Sequence, residues 1–234
     1  MIYEKTTIMT DCRDELVSDL AHEFRAPLTA ISGNAELMLD PSMSFSERQH
    51  FLQIILSEAK RLNGLVDDLI ALQSIQECPP AATKQVNIRA IAEETRDIME
   101  ATLQKKHIEL AINGEAPDIR IEPNRLKQVL INLIDNAYKH LPEGGKIEIS
   151  LSSADGSSSI RIEDNGIGFG DVDLSQLFER FYRTDSSRSH GITGSGLGLS
   201  IVHAIVHTNG GTITAFNAPK GDAVFLITFP ASDQ

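Results

Sequence analysis

QECPPAATKQ, residues 76–85, separates two parts of the chain that have different hydrophobic periods. Its tandem prolines cannot continue a helix, because proline has no backbone N–H and restricts the residue before it. Apolar residues recur at spacings of three and four before this stretch, whereas several runs after it alternate apolar and polar residues. We therefore predict one domain at residues 1–77, a linker at 78–85 and a second domain at 86–234.

The N-terminal part carries two apolar stripes of helical period, within residues 16–38 and 51–72. DPSMSFSERQ, residues 40–49, interrupts them with a proline and serines, and Ser46 with Gln49 has the spacing of a capping box. These patterns predict an all-α helical hairpin. Because two helices cannot bury both stripes by themselves, we expect a homodimer whose hairpins close a four-helix bundle.

The C-terminal part mixes helical segments with strands of period two. Helical patterns occupy residues 88–106, 123–140 and 199–208. The alternating runs are IELAI, IRIE, KIEISLS, SIRIED, GTITAFN and AVFLITF. This mixture predicts an α+β sandwich in which helices cover one face of a mixed sheet.

The composition permits a packed core and limits the classes of partner. Of the 234 residues, 41% are hydrophobic and 23% are charged, as in ordinary globular proteins. The net charge of −12 repels polyanions and argues against nucleic acid as a partner. Any phosphate group must therefore be bound by local geometry.

The cysteines and the hydropathy pattern favour a cytoplasmic location for this portion. Cys12 and Cys78 lack the paired spacing of a zinc site, which fits a reducing compartment. No stretch approaches the roughly 20 apolar residues that span a bilayer. We expect the chain to belong to a longer protein, in which any membrane contact is made by a sensor region outside this sequence.

LAHEFRAPLTAI, residues 20–31, contains the first candidate site. A helical wheel puts His22 about 180° from the apolar stripe, on the exposed side. Pro27 removes the backbone bond to the carbonyl of Glu23 and should loosen the turn beside His22. Glu23 can accept the imidazole proton, so that a ring nitrogen becomes a nucleophile for a phosphoryl group. A surface histidine without function is the alternative interpretation.

RLKQVLINLIDNAYKH, residues 125–140, contains the second candidate site. Asn132 and Asn136 lie four residues apart on the polar side of a helix whose other side is apolar. Two carboxamides in this arrangement can ligate Mg²⁺ or its waters, and Lys139 can neutralise phosphate charge. Incidental asparagines on a helix surface are the alternative, although asparagine is a poor helix former.

Two glycine-rich clusters follow. EDNGIGFG, residues 163–170, ends a strand, and its glycines let the backbone approach a planar ligand while Asp164 accepts a hydrogen bond from an adenine amine. TGSGLGLSIVHAIV, residues 193–206, places glycines directly before a helix, whose backbone amides can hold phosphates without basic side chains. Either cluster alone is weak evidence, since glycine-rich turns are common.

In their order and spacing these motifs resemble those of sensor histidine kinases of two-component systems. HEFRAPL resembles the H box, and residues 125–140 resemble the N box. The glycine clusters resemble the glycine boxes of the ATPase domain shared with gyrase, Hsp90 and MutL, a Bergerat-type fold that differs from P-loop and Rossmann folds. The resemblance implies a dimerisation and histidine-phosphotransfer domain followed by a catalytic ATP-binding domain.

The resemblance also implies roles for individual residues. His22 is the expected phosphoacceptor, Glu23 its acid/base partner and Asn136 the principal Mg²⁺ ligand, with Asn132 a possible second ligand. The implied contacts to ATP are Asn136, Lys139, Asp164, Gly166, Gly168, Gly170, Phe181, Gly194, Gly196, Leu197 and Gly198. ATP and Mg²⁺ are the expected cofactors.

LFERFYRTDSSRSHGIT lies within residues 171–193 and resembles the F box and ATP lid of this family. A lid of this polar composition should close over nucleotide. Arg180 or Arg183 could reach the γ-phosphate or the phosphoacceptor helix. Phe178 and Phe181 could also serve only as core residues that anchor the lid.

The implied reaction is autophosphorylation of His22, followed by phosphotransfer to an aspartate of a response regulator receiver domain. A hydrolytic ATPase of the same fold is an alternative, but relatives of the gyrase type have a glutamate where Asn132 stands, and an amide cannot accept a proton from water. A catalytically silent dimeric scaffold is a second alternative. The intact His22, Asn136 and Asp164 argue against it.

Two positions depart from the family pattern. Ala26 stands four residues after His22, where many members have Thr or Asn to orient the water that dephosphorylates the regulator. We therefore predict weak phosphatase activity. Ala223 replaces a hydroxyl residue near the C-terminus, which implies the loss of one hydrogen bond near the nucleotide.

His203 and His207 lie four residues apart on a predicted helix, a spacing that can suit a metal. The glutamate and third ligand of a zinc protease site are missing. We interpret both histidines as surface or packing residues.

Overall fold

The computed structural model describes the backbone of residues 2–77, 83–154, 156–183 and 194–230, with side chains for 20–75 and for the three later ranges. The chain divides into two compact units, Met1–Asp68 and Leu69–Gln234. The first unit contains most of a helical hairpin, and the second contains a mixed sheet with helices. Both predicted fold classes are therefore confirmed.

The hairpin consists of α1 (Ile2–Leu37) and α2 (Phe45–Glu77). The first helix remains continuous across Pro27. In the turn between the helices, Asp40 Oδ1 accepts hydrogen bonds from the backbone N–H and the hydroxyl of Ser42, at 2.8 and 2.7 Å. The carboxylate thus holds the chain reversal in place.

A capping box starts α2, but not at the predicted residues. The N–H and hydroxyl of Ser44 donate to Glu47 Oε2 at 2.8 and 2.6 Å, and Glu47 N–H donates back to Ser44 Oγ at 3.3 Å. The predicted box at Ser46 and Gln49 is wrong. Both pairs have the required spacing, and a glutamate carboxylate is a stronger acceptor than a glutamine amide.

Much of the apolar surface of the hairpin is exposed in the single chain, whereas Leu65 is buried. Among the side chains described for the first unit, those that are large, apolar and exposed are Leu28, Leu37, Leu39, Phe45, Leu52, Leu56 and Val66. Exposed apolar side chains in this number can form an interaction face. It favours a bundle that is completed by a second hairpin.

The second unit has a five-stranded mixed sheet and a separate two-stranded ribbon. Its strands are β1 (Lys84–Val86), β2 (Glu109–Gly114), β3 (Ile119–Ile121), β4 (Lys146–Ala154), β5 (Ser157–Asp164), β6 (Thr212–Asn217) and β7 (Ala223–Phe229). The main sheet has the order β2-β4-β5-β7-β6; β2 and β4 are parallel, and the other neighbours are antiparallel. The ribbon pairs β1 with β3.

Helices α3 (Ile88–Leu103), α4 (Pro123–His140) and α5 (Gly198–Thr208) pack on this sheet. Short 3₁₀ turns occupy Gln104–Lys106 and Gln176–Phe178. The buried face of α4 is formed by Leu126, Val129, Leu130, Leu133, Ile134 and Ala137. Among the described residues, no helix is both long and apolar enough to cross a bilayer.

Strand β5 shows why the helices cover one face. Ile160, Ile162 and Asp164 are buried on that face, in strict alternation. Arg161 and Glu163 point to the opposite face, where Nη2 and Oε2 form an ion pair at 2.6 Å. The period-two pattern therefore carries Asp164 to the buried end of the strand, beside the helices.

Strand β1 was not predicted. Lys84 and Gln85 of the predicted linker lie in it and pair with Ile121 and Arg120 of β3. Three residues give too short an alternation to identify a strand, and the pairing depends on residues more than thirty positions away. The linker residues 78–82 lie outside the described residues.

The last turns of α2, residues 69–77, group with the second unit. Ile75 is buried there, and Arg125 Nη2 of α4 donates to Ser74 Oγ at 2.9 Å. The boundary between the two compact units therefore falls within α2, whereas the predicted linker begins after the end of that helix.

Candidate functional site

His22 and Glu23 lie in the first unit, on α1. His22 is exposed, as its position opposite the apolar stripe predicts. Glu23 is only partly exposed, because Arg61 of α2 donates from Nη2 to its Oε2 at 3.2 Å. Arg61 Nη1 also lies 3.6 Å from Glu58 Oε2. Neither Arg61 nor Glu58 was among the predicted site residues.

In the second unit, the polar face of α4 meets the second glycine cluster. The point at which a Cβ would stand on Gly198 lies 3.6 Å from Asn132 Oδ1. The corresponding point on Gly194 lies 3.8 Å from Lys139 Nζ. Asn136 lies between Asn132 and Lys139 along the same helical face. The structure thus brings together two predicted motifs that are far apart in sequence.

Asn132 presents a buried donor on this face. Its Nδ2 atom is inaccessible to solvent and has no hydrogen-bond partner among the described residues. An unsatisfied buried amide costs about 1–3 kcal/mol, so a donor of this kind is expected to have a partner when the site is filled. A phosphate oxygen would supply one, whereas Asn132 Oδ1, the atom that faces Gly198, is an acceptor that suits a metal ion or its water. The donor set therefore fits a phosphate ligand.

Lys139 has a carboxylate partner within α4. Its Nζ lies 2.6 Å from Asp135 Oδ2, one turn earlier, and both side chains are about one-third exposed. This ion pair aims the ammonium group along the helix instead of leaving it to solvent. Lys139 was a predicted site residue and Asp135 was not, although the four-residue spacing of opposite charges is visible in the sequence.

Asp164 is held at the end of β5. Its Oδ1 accepts the backbone N–H of Gly166 at 3.0 Å. Burial raises the pKa of Asp164 to about 6; the Gly166 hydrogen bond opposes the shift, and the nearby Asp222 and Glu163 charges add to it. The carboxyl therefore combines a fixed orientation with a pKa close to neutrality.

Ala223 of β7 stands directly opposite Asp164 in the sheet register. The side chain is buried and carries no hydrogen-bonding group. This departure from the family pattern therefore lies beside the first glycine cluster.

The first glycine cluster packs against the β6–β7 turn and the end of β6. Gly168 has φ +68°, and a Cβ on it would collide with the carbonyl of Gly221. Asn217 Oδ1 accepts the N–H of Phe169 at 2.8 Å. Asn217 was not predicted, because nothing local in the sequence couples it to a loop nearly fifty residues earlier. Gly170 ends the cluster in an exposed position.

Phe181, within the predicted lid, is joined by a backbone hydrogen bond to Gly196, three residues after the end of the lid. Phe181 N–H donates to Gly196 O at 3.0 Å, and the two residues have φ values of +61° and +73°. A Cβ on Gly196 would stand 2.8 Å from the Phe181 backbone. Phe181 thus forms part of the second glycine cluster. Residues 184–193 of the lid lie outside the described residues.

The remaining predicted site residues differ in exposure. Arg180 is exposed and Arg183 is half-buried. The Leu197 side chain is fully buried in the core, and its N–H donates to Ser195 Oγ at 3.1 Å. Only the backbone of Leu197 therefore borders the glycine cluster.

Comparison with known proteins assigns both parts of the chain to one family. Residues 12–78 match the His Kinase A (phospho-acceptor) domain, and residues 121–233 match the histidine kinase-, DNA gyrase B- and HSP90-like ATPase domain. The chain belongs to the histidine kinase family. The first match contains His22, and the second contains both glycine clusters.

Two relatives show how much of a histidine kinase this chain represents. Sensor protein SphS of Synechococcus elongatus is 36% identical over 223 residues, covering 92% of this chain and 54% of that protein. Sensor histidine kinase CusS of Escherichia coli is 32% identical over 215 residues, covering 92% and 45%. The kinase chain thus spans about half the length of these relatives.

Solved histidine kinase structures have the same fold. The Acinetobacter baumannii histidine kinase AdeS superposes with a TM-score of 0.72 at 26% identity, covering 91% of this chain and 98% of that one. Histidine kinase ThkA, in its complex with response regulator protein TrrA, gives a TM-score of 0.75 at 24% identity, covering 93% and 61%. The second likeness is one of fold alone.

Proposed function

We propose that this chain is the catalytic core of a sensor histidine kinase that phosphorylates His22 with ATP. An imidazole nitrogen of His22 attacks the γ-phosphorus, a P–N bond forms, the bond to the β–γ bridging oxygen breaks, and ADP leaves. The phosphoryl group then passes to an aspartate of a response regulator receiver domain. Catalysis consists mainly of positioning and charge neutralisation.

The observation that carries this proposal is the meeting of α4 with the second glycine cluster. Asn132 Oδ1 and Lys139 Nζ lie 3.6 and 3.8 Å from the points where a Cβ would stand on Gly198 and Gly194, and Asn132 Nδ2 is a buried donor that lacks a partner among the described residues. Backbone amides at the start of α5 add further donors. Such a site can hold polyphosphate although the chain has a net charge of −12.

Asn136 is the residue that fits a Mg²⁺ ligand. Its side-chain carbonyl supplies the oxygen donor that Mg²⁺ prefers, and Asn132 is a possible second ligand or a partner for metal-bound water. When bound, Mg²⁺ neutralises phosphate charge and orients the γ-phosphoryl group. Lys139, on the next turn of α4, can neutralise phosphate charge together with Mg²⁺. Its ion pair with Asp135 offsets part of the charge of the ammonium group.

Asp164 is proposed to recognise the adenine ring. Its carboxylate would accept the exocyclic amine, while Gly166 and Gly168 bring the backbone close to the ring. The nucleotide phosphates would then extend toward Gly194 and Gly196. Arg180 or Arg183 would contribute positive charge to the transferred phosphoryl group.

The acid/base step is proposed to occur in the hairpin. Arg61 occupies Glu23 Oε2, which leaves Oε1 to accept the imidazole proton from His22. Removal of that proton keeps a nitrogen lone pair available for attack on phosphorus. An ion pair that orients the general base is the kind of support such a step requires.

We further propose that the chain acts as a homodimer in the cytoplasm, with a response regulator receiver domain as its partner. The exposed leucines of the hairpin support the dimer. The complex of ThkA with response regulator protein TrrA supports the class of partner. Any membrane anchor would belong to a region outside this chain.

Incubation with γ-labelled ATP and Mg²⁺ tests the proposal. The unaltered chain should acquire acid-labile label, whereas His22→Ala should acquire none and should still bind ADP. Asn136→Ala should lose both labelling and Mg²⁺-dependent nucleotide binding. His50→Ala, which removes another exposed histidine of the hairpin, should be labelled normally. Acid-labile label on His22→Ala would overturn the proposal.

The same reaction separates a kinase from a hydrolytic ATPase. Asn132 cannot take a proton from water, so release of inorganic phosphate should be slow and should depend on His22. Fast release that persists in His22→Ala would indicate hydrolysis as the primary activity.

A further inference from the structure

His203 and His207 form an exposed histidine pair on α5, outside the residues assigned to nucleotide. Their rings are stacked, with centroids 5.9 Å apart and planes inclined by 20°. The opposite face of the helix is fully buried through Ile201, Val202 and Ile205. This burial fixes the rotation of α5, so both imidazoles are presented to solvent on one side.

We propose that His203 and His207 bind one transition-metal ion of the Zn²⁺, Ni²⁺ and Cu²⁺ class. Imidazole nitrogen is a preferred ligand of these ions, whereas Mg²⁺ prefers oxygen. Metal–nitrogen bonds of about 2.0–2.1 Å are required, and the exposed His207 ring can rotate until its nitrogen and that of His203, one turn away, share an ion. Water completes the coordination shell.

The described part of the chain contains no group of three or more His, Cys, Asp or Glu residues suited to a metal. The ion at His203 and His207 therefore has two protein ligands and an open coordination shell. Such a site lacks the closed, four-ligand shell of structural zinc, so it exchanges its ion readily.

Phe178 limits the motion of one ligand. Its ring centroid lies 5.7 Å from that of His203, with the planes inclined by 35°. Phe178 is itself packed on Phe225 of β7 at 6.4 Å, so the contact is anchored in the core. A ligand whose rotamer is restricted before binding loses less entropy when the ion arrives.

Titration of the tag-free chain with Zn²⁺ tests the proposal, with the heat of binding measured by calorimetry in the presence of excess Mg²⁺. The unaltered chain should bind one Zn²⁺ that His203→Gln and His207→Gln each weaken by about tenfold or more, because loss of even an outer-shell partner has an effect of this order. His50→Gln should leave this binding unchanged. Equal Zn²⁺ affinity in all four proteins, or no binding by the unaltered chain, would overturn it.

Paramagnetic Cu²⁺ provides a second measurement that locates the ion. Amide signals of α5 should broaden in the unaltered chain and remain sharp in the double variant His203→Gln/His207→Gln. Both side chains are exposed, so the double variant should fold, and its thermal unfolding should match the unaltered chain. Neither measurement uses ATP, so its outcome is independent of the proposed kinase activity.

Discussion

Arg61 of α2 holds Glu23 of α1 through a hydrogen-bonded ion pair, with Nη2 and Oε2 3.2 Å apart. The two side chains are 21% and 27% exposed, so solvent only partly screens the contact. One helix of the hairpin therefore carries His22 and Glu23, while the other orients the glutamate. Under the proposed mechanism, Arg61 is a positioning residue.

Arg61→Gln should slow autophosphorylation of His22 by roughly ten- to a hundredfold. A positioned acid or base contributes roughly 10²–10⁴-fold, and a glutamate without its anchor should lose part of that effect. The initial rate of acid-labile labelling across a pH series measures the change. Arg61→Lys keeps the charge and should recover part of the rate, whereas ADP affinity should stay constant in both variants. An unchanged rate in Arg61→Gln would remove Arg61 from the mechanism.

Adenine-nucleotide binding should weaken as the pH falls through about 6, because protonation of Asp164 replaces a carboxylate acceptor with a neutral acid. The carboxyl is ionised above that pKa, so binding is strongest on the alkaline side. One proton limits the effect to at most about tenfold per pH unit. ADP titrations from pH 5 to 7.5 measure it.

Asp164→Asn supplies the control, since titration of the nucleotide phosphates is common to both proteins. The variant should bind ADP more weakly at pH 7.5 and should lose the component of the pH dependence that Asp164 causes. Identical pH profiles for the two proteins would contradict the role of Asp164.

Gly196→Ala should abolish most nucleotide binding, because its Cβ would stand 2.8 Å from the backbone of Phe181. Gly210 is a matched control: its φ of +75° is nearly the same as the +73° of Gly196, but an added Cβ meets nothing within 4 Å. Both alanines should destabilise the fold by about 1–2 kcal/mol through the left-handed backbone. ADP calorimetry and thermal unfolding separate the effects, and similar loss of binding in both variants would count against the Phe181 contact.

Ala26→Thr should increase dephosphorylation of the phosphorylated response regulator and leave autophosphorylation nearly unchanged. Ala26 is exposed on α1, one turn after His22, so a hydroxyl there can orient an attacking water without repacking the hairpin. Loss of label from the regulator receiver domain measures the rate. Ala35→Thr, also exposed on α1, should have no effect. Brisk phosphatase activity in the unaltered chain, unaffected by Ala26→Thr, would refute the prediction.

Leu52→Asp/Leu56→Asp should dissociate the homodimer. These leucines are 51% and 55% exposed in the single chain, and burial of two charges in an apolar interface is unfavourable. Light scattering after size-exclusion chromatography measures the mass. Ile98→Asp removes a similarly exposed residue, 56%, from α3 in the second unit and should leave the mass unchanged. A dimeric double variant would place the interface elsewhere.

Periodicity in the sequence was sufficient to predict most elements of the fold. Helix α4 begins at Pro123 and ends at His140 as predicted, because proline suits the first turn and an apolar stripe marks its buried face. The six predicted strands all occur. The exceptions depend on choices that local pattern leaves open: the cap of α2 has two pairs of suitable spacing, and β1 is too short to show alternation.

The sequence by itself determined which residues have the chemistry for the site, since each motif contains the side chains that the chemistry requires. The local hydrophobic period then places those side chains on one face of a helix or at one end of a strand. Only the tertiary structure decided which motifs meet. Asn132 lies near Gly198, Asn217 accepts a hydrogen bond from Phe169 and Arg61 donates one to Glu23, and each pair is separated by 38 positions or more. Such contacts follow from the packing of whole elements, which local hydrogen-bonding preferences and periodicity cannot specify.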